Sequence, residues 1–233
     1  MGNGVISRID ETLRERLLPL LQANQAASDL RTYFADDDAN GYTGRWFECI
    51  GGPGDAPEVA NQFTAADIVA VSTLSVQVPA QVSWRLLEKD ARELSELLSG
   101  IPTDVDLWNA TDEHIGTGSS ADHLWRRLKG MSRDGGDGGH AWVTAGKLMS
   151  RKRPRLIPVY DRMVRHTAAL NAESSWWLSL RAALDEDVLT HLRRHQGQGK
   201  VPEHVSLLRV LDVVLWRHGK RMLAPAQRGA DQA

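Results

Sequence analysis

The chain has 233 residues, 42% of them hydrophobic and 25% charged, with a formal net charge of -2. That length can bury a core, and the near-neutral balance excludes a nonspecific polyanion coat, which is basic overall, so any nucleic-acid contact has to be a local patch. The one cysteine, Cys49, excludes an intrachain disulfide framework and a thiolate zinc cluster; no apolar run reaches membrane-span length, and Met1 to Arg8 lacks the basic-then-apolar order of a signal peptide, so the expectation is a cytoplasmic protein with no cofactor and no membrane partner.

In chain order, the leucines at 13, 17, 18, 20 and 21 fall mostly on one side of a helix over Ser7 to Leu30, which Pro19 should kink or split. Residues 33–62 are rich in Gly, Asp and Pro and read as loop, yet they hold Tyr42, Trp46 and Phe47. Thr64 with Asp67 forms a capping-box pattern opening a helix from Ala65 to Val76. Ser83 is expected to cap a helix over Trp84 to Leu98, stopped by Gly100 and Pro102. Ser119 or Ser120 opens another, ending at Met131, and the glycines of Ser132 to Gly139 make a loop. Further helices are predicted over Trp142–Lys152, Arg162–Ala169, Ser175–Leu184 and Val188–His195. The last, Val205 to Arg217, is apolar nearly all round and belongs at the domain centre. The expected architecture is all-α: one compact multi-helix domain over 1–224 and a disordered tail over 225–233.

Chemistry is most legible between Thr144 and Arg165, where seven Lys or Arg surround a single carboxylate, Asp161, within 22 residues. The stretch Thr144-Ala145 followed by Asp161-Arg162-Met163-Val164-Arg165 resembles part of the helix-hairpin-helix DNA glycosylase superfamily. There a glycine-rich hairpin leads into a helix opening with Thr-Ala, and a short loop then delivers the catalytic aspartate. The resemblance covers about 30 residues. Asp137-Gly138-Gly139-His140-Ala141 keeps one hairpin glycine, the Schiff-base lysine of bifunctional members falls on Val143, and the histidine of the aspartate motif is Met163. Lys147 lies one helical turn beyond Val143. The whole chain also resembles an uncharacterised actinobacterial family that shares the core Arg153-Pro154-Arg155-Leu156-Ile157-Pro158-Val159-Tyr160-Asp161.

The glycosylase resemblance implies DNA as partner and a monofunctional N-glycosylase with Asp161 as catalytic residue. Breaking an N-glycosidic bond builds positive charge on the sugar, which a fixed carboxylate stabilises while it orients water. Lys147, Arg151, Lys152, Arg153, Arg155, Arg162 and Arg165 would hold phosphates. Trp142, Tyr160, Trp46 and Trp125 are the platforms on which an extruded base could stack.

The residues keep plainer readings open. Asp161 at a helix start is equally an N-cap, the arginines a solvated turn, Lys147 a snorkelling surface residue, and Tyr160 a packed core ring. Gly41 to Glu48 either lines a pocket or plugs the core with its aromatics. His191 and His195 have metal-binding spacing without a third ligand, and Asp36-Asp37-Asp38 lacks the spacing of a calcium loop. Two alternatives to the enzyme stand beside it: a non-catalytic nucleic-acid-binding module of the same fold, and a protein-interaction or regulatory domain whose basic segment meets an acidic partner.

Overall fold

The computed structural model describes residues 3–36, 41–137, 140–168 and 176–230. Among them there is helix and turn and no strand. The helices are α1 (Asn3–Gln22), α2 (Gln25–Tyr33), α3 (Ala65–Ser72), α4 (Ala80–Trp84), α5 (Ala91–Ser99), α6 (Asp112–Ile115), α7 (Ser120–Ser132), α8 (Ala141–Lys152), α9 (Arg162–Ala168), α10 (Trp176–Ala183), α11 (Glu186–Gln198) and α12 (Leu207–Ala230). No helix among the described residues is long and apolar enough to cross a membrane. Part of the glycine hairpin (138–139), two residues of the aspartate triplet (37–38), Ala169, Ser175 and the end of the tail (231–233) lie outside the described residues.

Caps account for several helix starts. Thr64 and Asp67 form the expected reciprocal box at the head of α3. Ser119 accepts the Asp122 amide to open α7, and Asp185 accepts that of Val188 to open α11. Several boundaries differ from expectation. The first helix runs through Pro19 and breaks at Ala23–Asn24; Pro19 is exposed, as is Glu15 one turn earlier, where water can take the carbonyl bond that proline leaves unfilled. Ser83 is no cap: it lies inside α4 and its hydroxyl donates to the Pro79 carbonyl at 3.2 Å. A π turn over Arg85–Lys89 then separates α4 from α5. α12 continues beyond Arg217 to Ala230.

Two helices organise the molecule. α8 packs on α7 and α3, and α12 packs on α9, α2 and α11. Every residue of α8 except Trp142 is buried, including Lys147, Arg151 and Lys152. From Val210 to Leu215, α12 is also fully buried, so the expectation of a central last helix holds. Arg209 and Asp212 interrupt that apolar run and are buried within it.

The C-terminal end of α8 is a structural hub. Arg151 donates to the carbonyls of Phe47 (2.8 Å), Ile50 (2.9 Å) and Gly52, and from Nε to Asp67 at 3.2 Å. Lys152 Nζ donates to Val59 O at 2.8 Å and to Asp67 at 3.2 Å. Arg153 donates to the carbonyls of Leu98 (2.6 Å), Ala60, Ile101 and its neighbour Lys152 (each 2.8 Å), and to the Asn61 side chain at 2.8 Å. Its bond to Leu98 takes an orphan carbonyl near the end of α5, where positive charge is favoured. Three successive cations thus tie the irregular segment 47–61 to the core. The chain passes so close at Gly54 that a Cβ there would run into the Arg151 carbonyl.

Candidate functional site

A cavity of about 530 Å³ opens between α8 and α12. Turns at 42–44 and 73–76 and the entry to α9 complete its wall. Lys147 from α8, Asp161 and Arg162 from the start of α9, and Arg209 and Asp212 from α12 stand on its wall. Its size suits a nucleoside-sized ligand.

Asp161 is a helix N-cap that also stands on the cavity wall. Its Oδ1 accepts the backbone N–H groups of Met163 (2.9 Å) and Val164 (3.0 Å), which makes it the N-cap of α9. Its Oδ2 faces Lys147 Nζ at 3.9 Å, and the side chain retains 19% exposure. The cap fixes the carboxylate's orientation and leaves one oxygen turned to the lysine.

Lys147 is no surface residue: its side chain is 5% exposed, and Nζ donates to Leu74 O at 2.9 Å. Burial lowers its pKa below the usual lysine range, while Asp161 and Asp212 pull the other way. On the facing helix Arg209 is paired with Asp212 and donates to the Tyr33 hydroxyl and, at 3.0 Å, to Gly44 O. Burial pushes the Asp212 carboxyl up to about 7, with Arg209 opposing the shift and Asp161 adding to it. Behind this pair, burial also raises Glu48, whose oxygens accept the Ser206 amide at 2.8 Å and hydroxyl at 2.7 Å. Gly44 cannot be larger, because a Cβ would collide with the Tyr33 hydroxyl.

Aromatic rings supply the apolar part of the wall. Tyr33 and Tyr42 are stacked, with centroids 5.0 Å apart and planes at 6°, and Trp216 meets Tyr42 edge-on at 5.6 Å. All three line the cavity. The 41–48 segment therefore does both things its composition allowed: Tyr42 lines the pocket and Phe47 fills the core.

The sequence-derived set divides under this geometry. Lys147, Asp161 and Arg162 meet at the cavity. Arg151, Lys152 and Arg153 do not form a surface patch. They are buried and bonded to protein carbonyls and to Asp67, so in this fold they are not placed to hold phosphates. Burial lowers the Arg153 pKa to about 10. Arg155 is half exposed and gripped by both oxygens of Asp106, at 2.7 and 2.8 Å. Arg165 lies half-buried on α9.

None of the proposed stacking rings lines the cavity. Tyr160 is a core ring packed between Trp142, at 5.3 Å, and Trp176, at 4.9 Å. Trp46 is 38% exposed beneath the Arg45 guanidinium, and Trp125 lies under the Lys129 ammonium. His195 is buried with Nε2 2.5 Å from Leu21 O, and no cluster able to hold a metal ion occurs among the described residues.

The residues that sequence reasoning missed are Tyr33, Arg209, Asp212 and Trp216. Arg209 and Asp212 carried a signal: two charges, i and i+3, inside a helix otherwise apolar nearly all round. Such charges are buried together or not at all.

A family model described as Family of unknown function (DUF6308) matches residues 26–219. The chain belongs to that family. No curated protein matches it, and no solved structure does. The part of the chain matched to DUF6308 takes in every residue of the cavity wall except Lys220.

Proposed function

We propose that this DUF6308 protein is a monofunctional N-glycosylase acting on DNA, with Asp161 as the catalytic carboxylate. The observation that carries the reading is Asp161 itself: a carboxylate fixed by two backbone amides and facing a buried lysine on the wall of a cavity of nucleoside size. A carboxylate held in that way needs little reorganisation when positive charge develops on the sugar. Tyr33, Tyr42 and Trp216 offer the faces on which an extruded base would stack. Exposed His140, Arg162 and Lys220 at the same cavity are the groups placed to hold the flanking phosphates. This patch replaces the 151–153 segment as the proposed DNA contact.

Lys147 is assigned to the carboxylate, not to the substrate. With Nζ donating to Leu74 O and facing Asp161, it holds the cavity's charge in place, and base release without strand cleavage is expected.

The test is a panel of oligodeoxynucleotides, each carrying one altered base, incubated with the wild type and with Asp161→Asn. The variant keeps the shape and one acceptor oxygen but loses the negative charge. It should abolish base release and leave DNA affinity within a few-fold. Full activity in Asp161→Asn overturns the mechanism. Borohydride trapping of a covalent complex that disappears in Lys147→Met would overturn the monofunctional assignment. A non-catalytic DNA module predicts binding with no release by the wild type, and a protein-interaction domain predicts no DNA binding even at low salt, where phosphate contacts are strongest.

A further inference from the structure

The carboxyls around the cavity differ in burial: Asp212 is buried, while Asp161 and Glu48 are half-buried. Lys147 and Arg209 are the buried cations. Three carboxyls act on them: Asp161 and Asp212 on Lys147, and Asp212 and Glu48 on Arg209. A buried carboxyl is costly to hold charged, and at Asp212 the nearby Asp161 works in the same sense as burial, against Arg209 and Lys147. Asp161 accepts two backbone N–H groups on Oδ1 as the cap of α9. Glu48 receives the Ser206 amide and hydroxyl and does not line the cavity. Asp212 is buried, lines the cavity, and engages Arg209 through Oδ2.

We propose that Asp212 is the proton donor to the leaving group, a second catalytic residue that works with Asp161 from the opposite helix. This rests on the N-glycosylase reading of the same cavity. In the step, the Asp212 carboxyl passes its proton to a ring nitrogen of the base as the bond between that base and the anomeric carbon breaks. The bonding electron pair leaves with the base. Asp161 faces the positive charge on the sugar. Water then adds its oxygen to the anomeric carbon, and the proton it sheds restores Asp212. The net change is hydrolysis, with no other reactant.

The surroundings of Asp212 suit a donor. Arg209 lies on its own helix, Lys147 faces it from α8, Asp161 from the head of α9 and Tyr33 from α2, with Glu48 behind Arg209. Arg162 and Lys220 stand on the same wall. Desolvation outweighs the cations, so the carboxyl ionises near neutral pH, about 7, the range in which a general acid is most effective.

The leaving group provides the test. A neutral base such as hypoxanthine departs as an anion unless it is protonated. An N7-methylated guanine already carries positive charge and departs neutral without help. Oligodeoxynucleotides bearing each would be compared in single turnovers with the wild type, Asp161→Asn and Asp212→Asn. Asp212→Asn retains an oxygen for Arg209, and its circular dichroism and melting would be measured alongside. Expected is a loss of roughly 100-fold or more for the neutral base, with release of the cationic base within a few-fold of wild type, while Asp161→Asn loses both. In the wild type, release of the neutral base should fall as pH rises through about 7, and release of the cationic base should lack that limb.

Equal slowing of both bases by Asp212→Asn overturns the donor and leaves the Asp161 reading standing. Full activity of Asp161→Asn overturns the Asp161 reading, and release of neither base by the wild type overturns both. A protonated carboxyl band in the infrared difference spectrum between wild type and Asp212→Asn, recorded below neutral pH without substrate, is the readout that does not depend on turnover. Its absence overturns the donor even if the variant proves unstable.

Discussion

At the residue scale, Asp67 shows how one side chain serves two levels of structure. Its Oδ2 accepts the Thr64 amide at 2.9 Å and hydroxyl at 3.1 Å, closing the capping box of α3. The same carboxylate accepts Lys152 on Oδ2 and Arg151 on Oδ1, each at 3.2 Å, and all three side chains are almost wholly buried. The capping half was legible in the sequence because Thr64 and Asp67 are three residues apart. The ion-pair half was not, because Arg151 lies 84 residues away and only the fold brings it near. The two halves can be separated by mutation. Thr64→Ala removes a cap and should cost about 1 kcal/mol. Asp67→Ala removes the reciprocal half of the box and also strands two buried cations, a class of loss of about 3–5 kcal/mol. Urea unfolding of the two variants measures the difference. Equal losses would mean that water or rearranged carbonyls compensate Arg151 and Lys152, and that the hub does not depend on its counter-ion.

At the element scale, α8 and α12 had opposite readings in the sequence, and both were partly misjudged for the same reason. The basic end of α8 looked like a surface because charges are usually solvated, yet segment 47–61 and the end of α5 supply enough carbonyls to bury three cations. The middle of α12 looked purely apolar because its leucines and valines dominate the pattern, yet Arg209 and Asp212 bring charge from it to the cavity wall. Local signals survived well: the caps at Thr64 and Ser119, the burial of Val210 to Leu215, and the placement of Asp161 at a helix start. What escaped is non-local pairing, which hydrophobic periodicity does not encode. The Arg209–Asp212 pair also makes α12 a source of pH-dependent stability. Asp212 gives up its proton near 3.8 when unfolded and at about 7 in the fold. Between those values the folded state binds more protons, so this contribution is fully present below the lower value and is lost as pH rises through the upper one. Glu48 acts in the same sense. The fitted unfolding free energy of wild type, followed from pH 4 to 8, should therefore carry a downward term that Asp212→Asn lacks. Parallel curves would mean that Arg209 holds Asp212 ionised throughout.

At the scale of the whole molecule, the distribution of charge decides what can approach. With a net charge of -2 and Arg151, Lys152 and Arg153 buried, segment 151–153 offers no basic face for a long polyanion to track. The bases that line the cavity from outside, His140, Arg162 and Lys220, come from three separate elements and converge on one opening. On the proposed N-glycosylase reading, these residues hold a few phosphates around one extruded nucleotide, and a shallow salt dependence is expected. Each phosphate contact contributes a slope of roughly 0.9 in the logarithm of affinity against the logarithm of salt. Reversing two charges together, Arg162→Glu with Lys220→Glu, should weaken binding of a lesion-bearing oligonucleotide and reduce the slope by about two such contacts. Asp161→Asn, inside the cavity, should leave the slope alone. Reversal at Arg151 and Arg153 tests the opposite assignment: those variants should lose folding, visible in a melt, before they lose DNA. Folded variants at 151 and 153 with a reduced salt slope would return the basic segment to the surface. An unchanged slope in the Arg162–Lys220 double variant would place the phosphates, and with them the substrate's path to Asp161, on some other face of the molecule.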